Sequence, residues 1–469
     1  MTTSRQRSPG FRLLLVILVG LLLAIPLLAV YGLVYDRQSQ SETARSSIAA
    51  GWGGPQTVAG PVLVIPYMSE SVETETVNGQ PRSRTVVTER QLFLSPLEHK
   101  VSTDLKPERR AKSIYTSVLF SADMAGAARF ALPADLPRYG VAPGALRLDR
   151  AELRFGVSDA RGLQSGAEAT LGGRRIDLLP GKGLAATNGS GFFGFAGWDG
   201  RGVLPLTYRY RVHGSGSIGL VPRGGSTEWR VASAWQHPSF VGDFLPAERR
   251  VGGDGFAARW GIPNLALGQA LVLTEDPGTP TTDVNANFYS GRAVAAPVDA
   301  SRSSIAAVTL FEPVDLYAQV NRAVKYGFLF IGFTFLAFLM FDIVGGAWVA
   351  TAEYLLTGAG LILFFVLLLA FAEVIGFTPA YLLASAAIIG LLTAYSAAVL
   401  ASRRRSLFIG ALLVALYALL FVLLNLEAYS LLIGSVLLFV ALAAVMYATR
   451  AIDWSGVGRA GVEAEPSAA

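Results

Sequence analysis

Two kinds of pattern divide the chain. Phe11 to Val34 is apolar apart from Arg12 at its edge, and five further apolar runs occupy 327–344, 354–372, 379–400, 407–426 and 429–447. A helix that is apolar all round has no face to offer water. At about 1.5 Å rise per residue, a run of roughly twenty residues crosses a hydrocarbon core about 30 Å thick. Each of the six runs is therefore predicted to span a membrane.

For the first run a cleaved signal peptide is the rival reading. The apolar part of a signal is usually about 7–15 residues and leads to a small-residue cleavage site. This run is longer and ends in Val30-Tyr31-Gly32-Leu33-Val34-Tyr35, which favours a retained anchor. Pro26 within it is a kink that membrane helices tolerate. Residues 37–50 are compatible with a helical continuation of the span.

Between 37 and 322 the pattern changes to short runs broken by Gly and Pro. Leu204, Leu206, Tyr208, Tyr210 and Val212 alternate with Pro205, Thr207, Arg209 and Arg211, the period-two signature of a half-buried strand. Similar runs lie at 61–67, 85–94, 113–120, 151–157, 227–234 and 304–311, and no solenoid or propeller repeat is visible. The expected fold is a multi-pass α-helical membrane protein with a large mainly-β, sandwich-like extracytoplasmic domain. The expected divisions are 1–36 (tail and first span), 37–322 (β domain), 323–454 (five-helix bundle) and 455–469 (disordered tail, rich in Gly, Ala and Glu).

Basic residues in the short flanks set the orientation. Arg5, Arg7 and Arg12 precede the first span, Arg403, Arg404 and Arg405 join the fourth and fifth, and Arg450 follows the sixth. With six spans and the N-terminus in the cytoplasm, all of these groups fall inside. The outer loops 373–378 and 427–428 contain no Lys or Arg. Arg322 and Lys325 oppose the rule, but they adjoin a long domain, which the rule discounts. The fourth span is rich in small residues, among them Ala384, Ser385, Ala387, Gly390 and Ala394. Small residues allow close helix approach, so this span is expected at the centre of the bundle.

Composition agrees with this division. Of 469 residues, 52% are hydrophobic and only 16% charged, against about 25% charged in soluble proteins. The net charge of +5 comes without a basic block interleaved with aromatics, so no nucleic-acid partner is expected. There is no cysteine, which excludes disulfides, thiolate metal sites and cysteine nucleophiles.

Candidate chemistry is sparse. The three histidines, His99, His213 and His237, are each alone in their segment. Ser215-Gly216-Ser217-Ile218-Gly219 is an incomplete nucleophile elbow, without the first glycine or the following helix. With Gly214 it also matches a dinucleotide fingerprint, but Pro222 and Gly224-Gly225 stand where a helix is required. The stretch is read as a glycine-rich hairpin. No Walker A, zinc or EF-hand spacing occurs, so no catalytic, cofactor or metal residue is assigned. Asp342, Glu353, Glu373 and Glu427 all sit at span ends, which argues against an ion-coupled transporter. Arg322, Lys325, Glu373 and Glu427 would share one level. They either form a charge cluster or are four solvated charges.

From Tyr317 onward the chain resembles the CreD family of bacterial inner membrane proteins. The resemblance runs through Arg322-Ala323-Val324-Lys325-Tyr326-Gly327-Phe328, Ala372-Glu373-Val374-Ile375-Gly376-Phe377, Leu426-Glu427-Ala428-Tyr429 and Met446-Tyr447-Ala448-Thr449-Arg450, and ends at Asp453-Trp454. Two markers in the β domain are similar to the family's. One is Ser158-Asp159-Ala160-Arg161-Gly162; the other is Ser233 to Pro246, containing Trp235, Pro238, Ser239, Phe240, Gly242, Leu245 and Pro246. Glu353, Asp342 and Ala428 depart from the family pattern.

The charge bias with six spans puts both termini in the cytoplasm, and the resemblance implies the bacterial inner (plasma) membrane, hence a periplasmic β domain, and a role in cell envelope integrity. It implies no catalytic residue. The leading reading is a non-enzymatic protein set in the lipid bilayer, whose β domain binds an envelope protein, lipid or glycan. A transporter or flippase-like protein and an envelope hydrolase are the alternatives. The marker residues are read as packing and turn elements, with a ligand groove at Trp235 and Phe240 as the other possibility.

Overall fold

The computed structural model describes residues 9–77, 80–142, 144–280, 302–310, 316–343, 349–400, 402–425 and 430–450. The chain divides into two compact units, one made of 1–41 and 314–469, the other of 42–313.

The β unit holds two sheets. The nine-stranded first sheet contains β1 (Gln56–Val77), β2 (Gln80–Leu94), β5 (Glu152–Val157), β8 (Leu179–Pro180), β9 (Gly191–Phe195), β11 (Ser217–Val221), β13 (Pro238–Gly242), β16 (Val272–Leu273) and β17 (Ala306–Leu310). The eight-stranded second sheet contains β3 (Glu98–Lys112), β4 (Tyr115–Phe130), β6 (Glu168–Leu171), β7 (Arg174–Ile176), β10 (Leu204–Ser215), β12 (Ser226–Ser233), β14 (Glu248–Gly252) and β15 (Gly255–Pro263). Most pairings are antiparallel; β1 with β11 and β12 with β3 run parallel.

One core cluster draws Leu63, Ile65, Leu153 and Phe155 from the first sheet and Val101, Phe120, Met124, Tyr208 and Trp229 from the second. Two sheets sharing one core is the sandwich expected from the sequence. The alternating run at 204–212 falls within β10, and Leu204, Leu206, Tyr208, Tyr210 and Val212 are its buried positions. The other alternating runs also fall on strands. The first sheet buries its second face too: Ala59, Val62, Val64, Leu184, Val221, Ile305 and Ala307 form a separate cluster. For this reason β1 reads as a continuous apolar run and not as an alternation.

The segment read as a glycine-rich hairpin is instead a corner. β10 pairs with β4 in the second sheet and β11 with β1 and β17 in the first. The chain passes from one sheet to the other at Gly216, whose φ is +70°. Local turn chemistry suits either geometry, and only the choice of strand partners separates them.

The helices are α1 (Pro9–Ala50), α2 (Leu316–Lys325), α3 (Gly327–Ile343), α4 (Thr351–Ile375), α5 (Phe377–Val399), α6 (Arg403–Asn425) and α7 (Ser430–Thr449), with one further helical turn at Asn264–Leu267. Five stretches among the described residues are long and apolar enough to cross a membrane: Leu13–Ala50, Leu316–Phe341, Thr351–Ile375, Phe377–Val399 and Arg403–Asn425. Within the helical unit α1 buries Val16, Val19, Leu23, Val30 and Val34, a stripe at helical spacing.

The fourth span is not the most enclosed of these. In α4, 56% of the apolar stretch is buried, against 28% in α5. Phe364 and Phe365 of α4 are fully buried, and Phe364 packs edge-on against Tyr381 and Tyr417. Small side chains let α5 approach its neighbours, but large aromatic ones fill the space between helices. Tyr381 of α5 donates its hydroxyl to Tyr417 O at 2.6 Å, satisfying a polar group where water is scarce. At the start of α4, Glu353 accepts the backbone N–H of Ala350 at 2.8 Å, an N-terminal capping contact.

Candidate functional site

The first marker folds into a single 3-10 turn, Ala160–Gly162, with Asp159 as its cap. Asp159 accepts the backbone N–H of Arg161 at 3.1 Å and that of Gly54 at 3.1 Å. It also takes both arms of the Arg161 guanidinium, Nε at 2.9 Å and Nη2 at 2.7 Å. The Arg161 fork, aided by those backbone donors and opposed by burial, holds the Asp159 carboxyl down at about 2.

Gln56 locks the turn from beneath. It is buried, and its amide nitrogen donates to Asp159 O at 3.1 Å and His213 O at 2.8 Å. Its carbonyl accepts from Ser158 Oγ and Asp159 N, each at 3.3 Å. Both amide hydrogens are used, and the carbonyl takes Asp159 N–H and shares the one Ser158 proton with Pro55 O at 3.2 Å. Gly162 is required here, because a Cβ at this position would stand 2.2 Å from His213 O and 2.7 Å from Gln56 Nε2.

A cavity of about 370 Å³ opens beside this turn. Its walls come from the last residues of α1 (including Arg45 and Ala49), from Thr116–Val118 of β4, from Arg161, from the Ser215-Gly216-Ser217 corner and from Thr309. Arg45 is tied down by its Nε, which donates to Thr116 O at 3.1 Å. Three hydroxyl residues lie side by side across the first sheet, because Thr309 of β17 is in register with Ser217 of β11 and with Ser239 of β13. The second marker thus lies one strand behind the cavity wall, where Ser239 pairs with Thr309. The Thr309 hydroxyl is buried with no hydrogen-bond partner among the described residues.

Elsewhere the second marker is a packing element. Trp235 is buried, donates its Nε1–H to His237 O at 3.1 Å and carries the Arg109 guanidinium over its ring. Pro238 to Gly242 form β13 at the edge of the first sheet. Phe240 packs edge-on against Phe256 and Trp260. Gly242 has φ +101°, and a Cβ there would meet Ile305 O at 2.4 Å. Asp243 accepts Ile305 N at 2.8 Å, and Trp260 donates to Phe244 O at 3.0 Å. Leu245 is exposed and Pro246 half-buried. Trp235 and Phe240 are therefore occupied by internal contacts.

Two of the three histidines are engaged in packing, and the third, His237, is exposed. His99 Nε2 shares a hydrogen bond with Tyr208 Oη at 2.8 Å in the core, and burial pushes its pKa down to about 3. His213 stacks on Trp52 with centroids 4.1 Å apart. Burial lowers its pKa, with help from Arg211 and Arg110. Neither histidine is hydrogen-bonded to a serine or a carboxylate among the described residues. No cluster of three or more His, Asp or Glu with metal-binding geometry occurs among them either.

In the helical unit, Arg322 and Lys325 lie in the last turn of α2 with Tyr326 just beyond. Glu373 accepts the Tyr317 hydroxyl at 3.1 Å. Glu427, Asp453 and Trp454 fall outside the described residues, and with Glu427 one of the four charges whose clustering the sequence left open. Gln56 and Trp52 lie outside every motif of the sequence. The available signals were a lone amide at the head of an apolar strand and an indole in the Gly51-Trp52-Gly53-Gly54-Pro55 turn.

Comparison with known proteins gives three findings. Residues 8–455 match the family model described as inner membrane protein CreD. The chain is 32% identical over 443 residues to inner membrane protein CreD of Escherichia coli (strain K12), covering 92% of this chain and 91% of that one. A solved M1 zinc metallopeptidase from Deinococcus radiodurans aligns with 36% of this chain and 38% of its own, at 9% identity and a TM-score of 0.20. That likeness is too slight to carry an argument about fold or chemistry.

Proposed function

The chain belongs to the CreD family of inner membrane proteins, and from that premise we propose that it supports cell envelope integrity as a non-enzymatic binding protein. In this reading the β sandwich lies in the periplasm and takes up an envelope component or partner at the cavity beside Asp159-Ala160-Arg161-Gly162. The helices hold it in the inner membrane with both termini in the cytoplasm.

The observation that carries the reading is the construction of that cavity. A hydrogen-bonded buried glutamine, a capped turn and a sheet-changing corner converge on a concave, mostly apolar space with a few fixed polar groups, the usual form of a ligand site. Two of the three histidines support the non-enzymatic part, since His99 and His213 are spent on packing contacts.

Two experiments test the reading. The chain has no cysteine, so single substitutions report topology cleanly. Leu245→Cys, 70% exposed, should react with a membrane-impermeant maleimide in cells with a permeabilised outer membrane, whereas Ser402→Cys should react only after lysis. The reverse pattern would overturn the periplasmic placement. Filling the cavity with Ala49→Trp should then fail to complement a deletion strain's envelope defect at wild-type protein levels. Full complementation would remove the cavity from the function.

A further inference from the structure

The polar and apolar parts of the cavity narrow its ligand further. Ala49, Pro55, Val118 and Leu310 give it mainly apolar walls; its charged lining residues are Glu42, Arg45 and Arg161, and the Asp159 carboxylate balances Arg161 from outside the cavity. The fork with Asp159 uses two of the five N–H donors of Arg161, which leaves three for another acceptor. The Arg161 side chain is 68% exposed and can receive a ligand without breaking the fork. The space of about 370 Å³ holds roughly a dozen groups of methylene or water size, at about 30 Å³ each. That is the scale of one alkyl chain.

Resting on the binding reading above, we propose that this cavity takes a single-chain amphiphile with an acidic oxygen head, the chain against the Ala49–Val118 side and the head on Arg161. A fatty-acid carboxylate and a lysophospholipid phosphate share this chemistry. Residues 42, 45, 46, 49 and 50 of the cavity wall belong to the same helix as the first span, which joins the cavity in sequence to a segment able to enter a bilayer, the main store of such molecules. Each methylene buried strengthens binding about fourfold. Loss of a charge-assisted hydrogen bond weakens it about tenfold or more.

The test uses the full chain held in amphipol and a dodecanoate carrying a photoactivatable diazirine, with labelled residues located by mass spectrometry. Labelling is expected within 42–50, 116–118, 215–217 and 309–310. It should be competed by octanoate, decanoate and dodecanoate with rising strength, and not by dodecyltrimethylammonium. Stronger competition by dodecanoate than by lysophosphatidylglycerol assigns the head to a carboxylate, and the opposite order assigns it to a phosphate.

Arg161→Gln and Ala49→Trp should each cut labelling about tenfold or more with the melting transition retained. If Ala49→Trp does not fold, Ser46→Trp on the adjoining turn of the same wall replaces it. Labelling confined to the spans, labelling unaffected by filling the cavity, or equal competition by the cationic amphiphile would overturn the proposal. The two readings fail separately. Loss of complementation in Ala49→Trp without any labelling of the cavity rejects the amphiphile and keeps a binding site. Labelling of the cavity in a protein whose Ala49→Trp variant complements fully keeps the amphiphile and rejects its part in envelope integrity.

Discussion

The indole of Trp52 lies flat on the imidazole of His213, with ring centroids 4.1 Å apart and planes 3° from parallel. Trp52 follows the end of α1 and His213 stands in β10, so the stack ties the helix end to the second sheet. The Arg110 guanidinium lies 3.9 Å from the centre of the same indole, and Trp52 Nε1 donates to Phe120 O at 3.2 Å.

Removing the indole uncovers the imidazole. Burial is the largest cause of the lowered His213 pKa, so Trp52→Ala should raise it toward the ordinary value of about 6.5. With three histidines in the chain, a carbon-detected NMR titration of labelled imidazoles can follow the change. An unmoved His213 titration would mean that the stack is not what shields it.

His99 makes the β unit sensitive to acid. Its folded pKa is about 3 against 6.5 unfolded, so between these values only the unfolded chain binds the proton. Stability is therefore unaffected above pH about 6.5. It declines as pH falls toward 3, by up to about 1.4 kcal/mol per pH unit from this group. Urea unfolding of the full chain, followed by Trp fluorescence at several pH values, measures the slope. His99→Gln should flatten it; an unchanged slope would exclude His99 as the source.

Arg223 is almost wholly buried and pairs with Asp276, whose other oxygen accepts Ala185 N at 2.5 Å. Asp276→Ala leaves a buried guanidinium without its counter-charge and should cost about 3–5 kcal/mol. Replacing both partners, Arg223→Met with Asp276→Leu, should recover most of that loss. Denaturant midpoints of the two variants decide it, and a mild effect of Asp276→Ala would show that water reaches Arg223.

Gly162→Ala forces a methyl group to within 2.2 Å of His213 O. The turn must shift, at a cost of about 1–3 kcal/mol, and Asp159 must lose its alignment with Gly54 N. The expected result is a lower melting temperature together with weaker amphiphile labelling. An Ala160→Gly control, at an exposed position of the same turn, should change the melting temperature much less. Equal losses would show that the turn has no specific need for glycine at 162.

Much of the fold was legible in the sequence because its signals are local. An unbroken apolar run has one physical use, and the alternation from Leu204 to Val212 has one buried face, so the runs at 11–34 and 204–212 were read directly. β3 was not read, although its burial alternates strictly from Glu98 to Leu105. Two of its buried positions are His99 and Thr103, and their partners, Tyr208 and Trp229, lie more than a hundred residues away. A polar residue that is satisfied by a distant one looks exposed until the chain is folded.

The candidate site shows the same limit more sharply. By itself the sequence determined the membrane spans, the β-rich middle and two motifs of a recognisable family, because hydrophobic periodicity and short motifs are written in neighbouring residues. Only the tertiary structure decided that Gly216 is a corner, that Gln56 clamps Asp159 to His213, and that Ser239 pairs with Thr309 of the cavity wall. Those relationships depend on which strands pair and in which register. A strand buried on both faces, as β1 is, carries no alternation that would mark its register.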